Sequence, residues 1–63
     1  MINILDYHFI VTYGNMYTND LTAKNYTIEA KSDFGAWIVV TSIAYQDITG
    51  REHIEKIELI EVE

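Results

Sequence analysis

The chain has 63 residues, and its ten carboxylates against four basic side chains leave a formal charge of −6. That balance argues against a nucleic-acid phosphate backbone as a direct ligand, which needs a basic footprint, and favours a basic protein surface. With no cysteine in the chain, disulfides and thiolate metal sites are excluded, and one small domain over residues 1–63 would draw further support most naturally from oligomerisation.

A hydrophobic content of 49% and an aromatic content of 13% are too high for a disordered segment and call for a folded chain. No apolar run approaches the roughly 18 residues of a membrane span, and the start Met1-Ile2-Asn3-Ile4-Leu5-Asp6 has no basic residue of the signal-peptide kind. The expectation is a soluble, unprocessed protein of the cytoplasm.

From Leu5 to Tyr13 the odd positions are Leu5, Tyr7, Phe9, Val11 and Tyr13 and the even ones Asp6, His8, Ile10 and Thr12, the period of a half-buried strand. Gly14-Asn15 ends it, Thr18-Asn19-Asp20 reads as a turn, and a return strand runs from about Leu21 to Lys31 with Tyr26, Ile28 and Ala30 inward.

Two readings compete from Ser32 to Gln46. As a helix, Ser32 or Asp33 is the N-cap and Phe34, Trp37, Ile38, Thr41 and Tyr45 share one face, which leaves Ala36, Val39 and Ile43 opposite with no charge nearby. As a strand, the stretch is rich in β-branched residues, Trp37, Val39, Ile43 and Tyr45 share a side, and both flanks suit turns. Local chemistry leaves the two nearly even.

From Arg51 to Glu63 acids alternate imperfectly with Ile54, Ile57, Leu59, Ile60 and Val62, and the apolar parity changes between Leu59 and Ile60. A strand with a bulge or a fraying end is expected.

Signals for chemistry are few. His8 and His53 have no metal-site partner at helical spacing, the serines and threonines sit in no nucleophile motif, and Gly14, Gly35 and Gly50 are isolated. No enzyme, cofactor or metal is expected. Asn25-Tyr26-Thr27 matches a glycosylation sequon, and in a chain with no secretory signal it is read as chance.

Glu52, Glu55, Glu58 and Glu61 recur every third residue and read either as a solvated edge that discourages aggregation or as an acidic binding surface. Tyr17, beside Met16 in the expected hairpin loop, is the aromatic best placed as an exposed anchor. Ala36, Val39 and Ile43 form a candidate oligomer interface.

The segments Tyr26-Thr27-Ile28-Glu29-Ala30-Lys31-Ser32, Ala36-Trp37, Gly50-Arg51 and Ile54-Glu55-Lys56-Ile57-Glu58-Leu59-Ile60-Glu61-Val62 resemble small acidic accessory proteins of bacteriophages and mobile elements. In these a hairpin strand ending in Ala-x-Ser leads into a helix and a final Ile-x-x-Ile-x-Leu strand. The resemblance spans about two thirds of the chain, and Gly35 with Ile38-Val39-Val40-Thr41 departs from it. It implies inhibitors of host defence, anti-CRISPR and anti-restriction proteins among them, without assigning a target, and it tips the middle segment towards a helix.

The expected fold is therefore α+β: one small ββαβ domain with an antiparallel sheet and a helix over about 32–46. An all-β four-stranded meander or small barrel is the alternative. The expected function is inhibition of a host nucleic-acid-binding protein or defence enzyme in the host cytoplasm, through Glu52, Glu55, Glu58 and Glu61 with Tyr17. A homo-oligomeric structural or assembly role is the alternative.

Overall fold

The computed structural model describes residues 3–63, so Met1 and Ile2 of the N-terminal stretch considered above lie outside the described residues. The order is β1 (Leu5–Asn15), β2 (Leu21–Ala30), α1 (Asp33–Gln46) and β3 (Glu52–Val62). The strands form one sheet in the order β2-β1-β3, with both outer strands antiparallel to β1. β2 and β3 thus run the same way, and a connection between such strands must cross over the sheet. Helix α1 makes that crossing, which settles the ββαβ reading over the all-β one. The body is elongated, 48 × 18 × 13 Å.

The hairpin follows the alternation of β1. Asn15 accepts hydrogen bonds at Oδ1 from the backbone N–H groups of Tyr17 (2.8 Å) and Thr18 (3.1 Å), an Asx arrangement that folds the chain back. Asn19 completes the turn at φ 62°, a left-handed conformation that asparagine tolerates. The register then sets Tyr7 against Ile28 and Phe9 against Tyr26.

Ser32 ends β2 and starts the helix: it is extended, and its hydroxyl accepts from the Gly35 N–H at 3.2 Å. The β-branched run that made a strand plausible is overridden by packing, because an apolar face buried on a sheet contributes more than helix propensity does. At the far end Gly50 adopts φ 58°, a conformation that suits glycine, and turns the chain into β3.

The structure corrects the face of the helix. Phe34, Ile38 and Tyr45 point outward, Thr41 is half-buried and Trp37 only borders the core; the buried stripe is Ala36, Val40 and Ala44, each fully inaccessible. The reason is volume. The inner face of β1 already presents Tyr7, Phe9, Val11 and Tyr13, all buried, and small helical residues let the backbone settle onto those rings without overfilling the layer. Ile43, Ile54, Ile57 and Leu59 pack around this centre, and Trp37 meets Phe9 edge to face, with ring centroids 4.9 Å apart.

β3 pairs with β1 through two register shifts, one opposite His8/Phe9 and one opposite Thr12/Tyr13. The first leaves Ile60 as the extra residue, the parity change seen in the sequence. The second leaves Glu55 unpaired. The bulges keep Ile54, Ile57, Leu59 and Val62 all opposite inward-facing residues of β1.

One polar group fixes the helix to the sheet. Tyr13 Oη donates to the Ala44 carbonyl at 3.0 Å, contacts Tyr26 Oη at 3.0 Å, and Tyr26 donates to Asp47 Oδ2 at 2.7 Å. Burial first, then the bonds to Tyr13 and Asp47, push the Tyr26 phenol above the usual tyrosine range; burial and the nearby Asp33 carboxylate raise Tyr7 as well. An unfolded tyrosine loses its proton near about pH 10, whereas these two keep theirs in the fold. The folded state then binds more protons above that pH, and stability falls as pH rises through it. Tyr26→Phe is expected to cost about 1 kcal/mol at neutral pH and to make the alkaline decline shallower. Denaturant titrations at several pH values check this; an equally steep decline in the variant would contradict the assignment.

Candidate functional site

The sheet has two unlike faces. The inner one is covered by α1, and the outer one, built from the even positions of β1 and their partners, is open. Its rows follow from the register. Asp6 stands opposite Glu29 of β2 and exchanges backbone hydrogen bonds of 2.8 Å with Glu63 beyond β3. His8 lies between Thr27 and Glu61, Ile10 between Asn25 and Glu58, and Thr12 between Ala23 and Lys56. Four carboxylates, Asp6, Glu29, Glu61 and Glu63, therefore gather at one end of the outer face around a single imidazole.

His8 is held at both ring nitrogens. Nε2 lies 2.6 Å from Glu63 Oε1, and Nδ1 lies 3.0 Å from Thr27 Oγ1, so the ring links β1 to β2 and to the residue just beyond β3. The ligand atoms of His8, Glu61 and Glu63 lie within 4.8 Å of one another. They could hold a divalent cation, at the expense of the His8–Glu63 hydrogen bond. Sequence spacing along one segment could not reveal this trio, because strand pairing across the whole chain assembles it. Beside it a shallow depression is floored by Ile10 and bounded by His8, Asn25, Thr27 and the bulged Ile60, which puts an apolar centre next to an acidic rim.

The glutamates singled out by their spacing separate. Glu61 belongs to the acidic corner. Glu58, on the same face, is ion-paired with Lys56 at 3.3 Å. Glu52, half-buried opposite Asn15, accepts from the Thr49 N–H and hydroxyl and so braces the turn before β3. Glu55 is the bulge residue and contacts His53 Nε2 at 2.6 Å. A Cβ at Gly14 would meet this pair at 2.8–2.9 Å, so the absent side chain there lets His53 and Glu55 lie flat on the sheet. Tyr17 is exposed, its ring 4.5 Å from the Arg51 guanidinium. It stands in the hairpin loop, at the opposite end of β1 from the acidic corner.

The candidate oligomer residues also part. Ala36 is fully buried in the core, Ile43 packs partly against it, and Val39 is exposed. Ala36 is thus not a surface residue; the exposed apolar residues of α1 are Val39 and the stripe Phe34, Ile38 and Tyr45, with Trp37 and the half-buried Thr41 alongside the stripe. Among the described residues no helix is long and apolar enough to cross a membrane. The chain matches no protein-family model, no curated protein and no solved structure. Its fold and surface define a small α+β domain with one acidic and one apolar face.

Proposed function

We propose that this protein is a non-enzymatic binding protein, of the phage or mobile-element accessory kind, that lays its acidic sheet face on the basic nucleic-acid-binding surface of a host protein or defence enzyme and blocks it. The observation that carries the reading is the row formed by Glu29 of β2, Asp6 of β1 and Glu63, the residue just beyond β3. Like charges directly opposite one another destabilise a sheet, so a row of three is a cost to folding that a basic partner would offset. Carboxylates set on a rigid sheet can occupy positions meant for phosphates, raise the association rate and compete with nucleic acid. The depression at Ile10 and Ile60 supplies the apolar contact that a charged rim lacks.

The test is capture by the tagged protein from a bacterial lysate at low and at moderate salt, with mass-spectrometric identification. The expected result is a nucleic-acid-binding protein retained at low salt, lost as salt rises, and lost with Asp6→Lys/Glu61→Lys. Capture of the same proteins by that charge-reversed variant would overturn the acidic-face mechanism. Glu52→Lys, at the other end of the strand, is expected to leave capture intact.

A further inference from the structure

We infer that the exposed stripe of α1 is the contact surface for a second copy of this chain, with the two helices packed antiparallel about a two-fold axis. This goes beyond the acidic-face reading and is independent of it, since the stripe lies on the other side of the molecule.

The spacing of the stripe is that of a helix seam. Phe34, Ile38, Thr41 and Tyr45 follow one another at four, three and four residues, the pattern that keeps one side of a helix against a partner helix. None of them is taken up by the core, because the small stripe Ala36, Val40 and Ala44 occupies the sheet side. Phe34 is 65% exposed, Ile38 55% and Tyr45 63%, and Trp37 lies alongside at 36%. A shallow apolar hollow runs between Phe34, Trp37, Ile38 and Thr41.

Self-complementarity selects the occupant. In an antiparallel pair centred between residues 39 and 40, Phe34 meets the partner's Tyr45 and Ile38 meets the partner's Thr41. Large aromatics thus face one another at the two ends and smaller side chains at the middle. That is the relation an isologous interface requires, in which each residue's partner is contacted in return. Antiparallel helices also place opposite ends of their macrodipoles together.

Charge points the same way. The chain carries −6 overall, so most ways of bringing two copies together oppose carboxylates. The helix has no charged residue between Asp33 and Asp47, and both of these face the sheet, Asp33 beside Tyr7 and Asp47 bonded to Tyr26. The stripe is a surface that a second acidic copy can approach without repulsion, whereas a basic partner would gain nothing there. Its exposed side chains offer on the order of 500 Å² per copy, hence about 1,000 Å² in the pair, the lower bound for a specific interface. A 63-residue domain is also of the size that gains most from such cover.

The test is sedimentation velocity over a wide concentration range up to millimolar, with circular dichroism as the check on folding. The wild-type chain is expected to pass from monomer to dimer. Ile38→Glu, which occurs twice in the pair, is expected to weaken association by about a hundred-fold or more while leaving the spectrum unchanged. Phe34→Lys and Tyr45→Glu should each weaken self-association. Mixing these two variants should restore it, because the ammonium introduced in one copy then faces the carboxylate introduced in the other. A wild-type chain that stays monomeric throughout would overturn the proposal, as would a dimer indifferent to Ile38→Glu. A mixture that associates no better than either variant alone would overturn the antiparallel register.

Discussion

Phe9→Ala is expected to remove a large part of the chain's stability. Phe9 is 1% exposed at the centre of β1, and its ring meets Trp37. Deleting a buried phenylalanine costs about 3–5 kcal/mol, the spread reflecting how well the site collapses. Collapse is restricted here, because the helix above is held by the Tyr13 bond to the Ala44 carbonyl and the sheet below by pairing on both sides. Domains have about 0.05–0.15 kcal/mol of stability per residue, so a chain of this length has about 3–9 kcal/mol in all. Urea titration followed by circular dichroism and Trp37 fluorescence checks the loss; a change under about 1 kcal/mol would mean that Phe9 is not the centre of the core.

The second large effect separates the two stripes of the helix. Val40→Asp is expected to abolish folding, and Ile38→Asp, two residues away, to leave the circular dichroism spectrum essentially unchanged. Val40 is fully inaccessible and sits over Tyr7, Phe9, Val11 and Tyr13, among which an aspartate would have no cation to pair with, a burden of several kcal/mol for a buried unpaired ion. Ile38 is more than half exposed, so the same carboxylate stays in water, and surface changes of this kind usually lie within about 0.5 kcal/mol. Had Phe34, Trp37, Ile38, Thr41 and Tyr45 formed the core, the two outcomes would be reversed.

Much of the backbone was legible in the sequence. The alternation from Leu5 to Tyr13, the turn residues around Asn19, the Ser32 cap and the parity change at Ile60 each have a local physical cause, and each appears where expected. The choice between helix and strand for Ser32 to Gln46 was not local. It depended on whether a third element had to cross the sheet, which the parallel directions of β2 and β3 require. The helix face has a related cause: hydrophobicity marks Phe34, Trp37, Ile38 and Tyr45 as core, and only the bulk already supplied by Tyr7, Phe9 and Tyr13 makes Ala36, Val40 and Ala44 the better fit.

The acidic corner was half legible. Glu61 stood out by its spacing, but Asp6 and Glu29 join it through hairpin register, and Glu63 through the pairing of β3 on the far side of β1. The register of the hairpin, with Asp6 and Glu29 both on the outward parity, was the available signal for two of the four. Nothing local marks the contact of His8 with Glu63, which joins opposite ends of the chain.

At physiological salt, fields fade within about 8 Å, and this molecule is 48 Å long. Its two ends are therefore electrically separate objects. One carries Asp6, Glu29, Asp33, Glu61 and Glu63 against Lys31; the other mixes Asp20, Asp47, Glu52 and Glu55 with Lys24 and Arg51, and the Glu58–Lys56 pair lies between them. A charged surface nearby senses the end that faces it rather than the whole molecule's charge. The chain thus behaves as a rod with a strongly negative tip, which a positive surface would turn towards itself during the last nanometre of approach, orienting the acidic corner before any side chain touches.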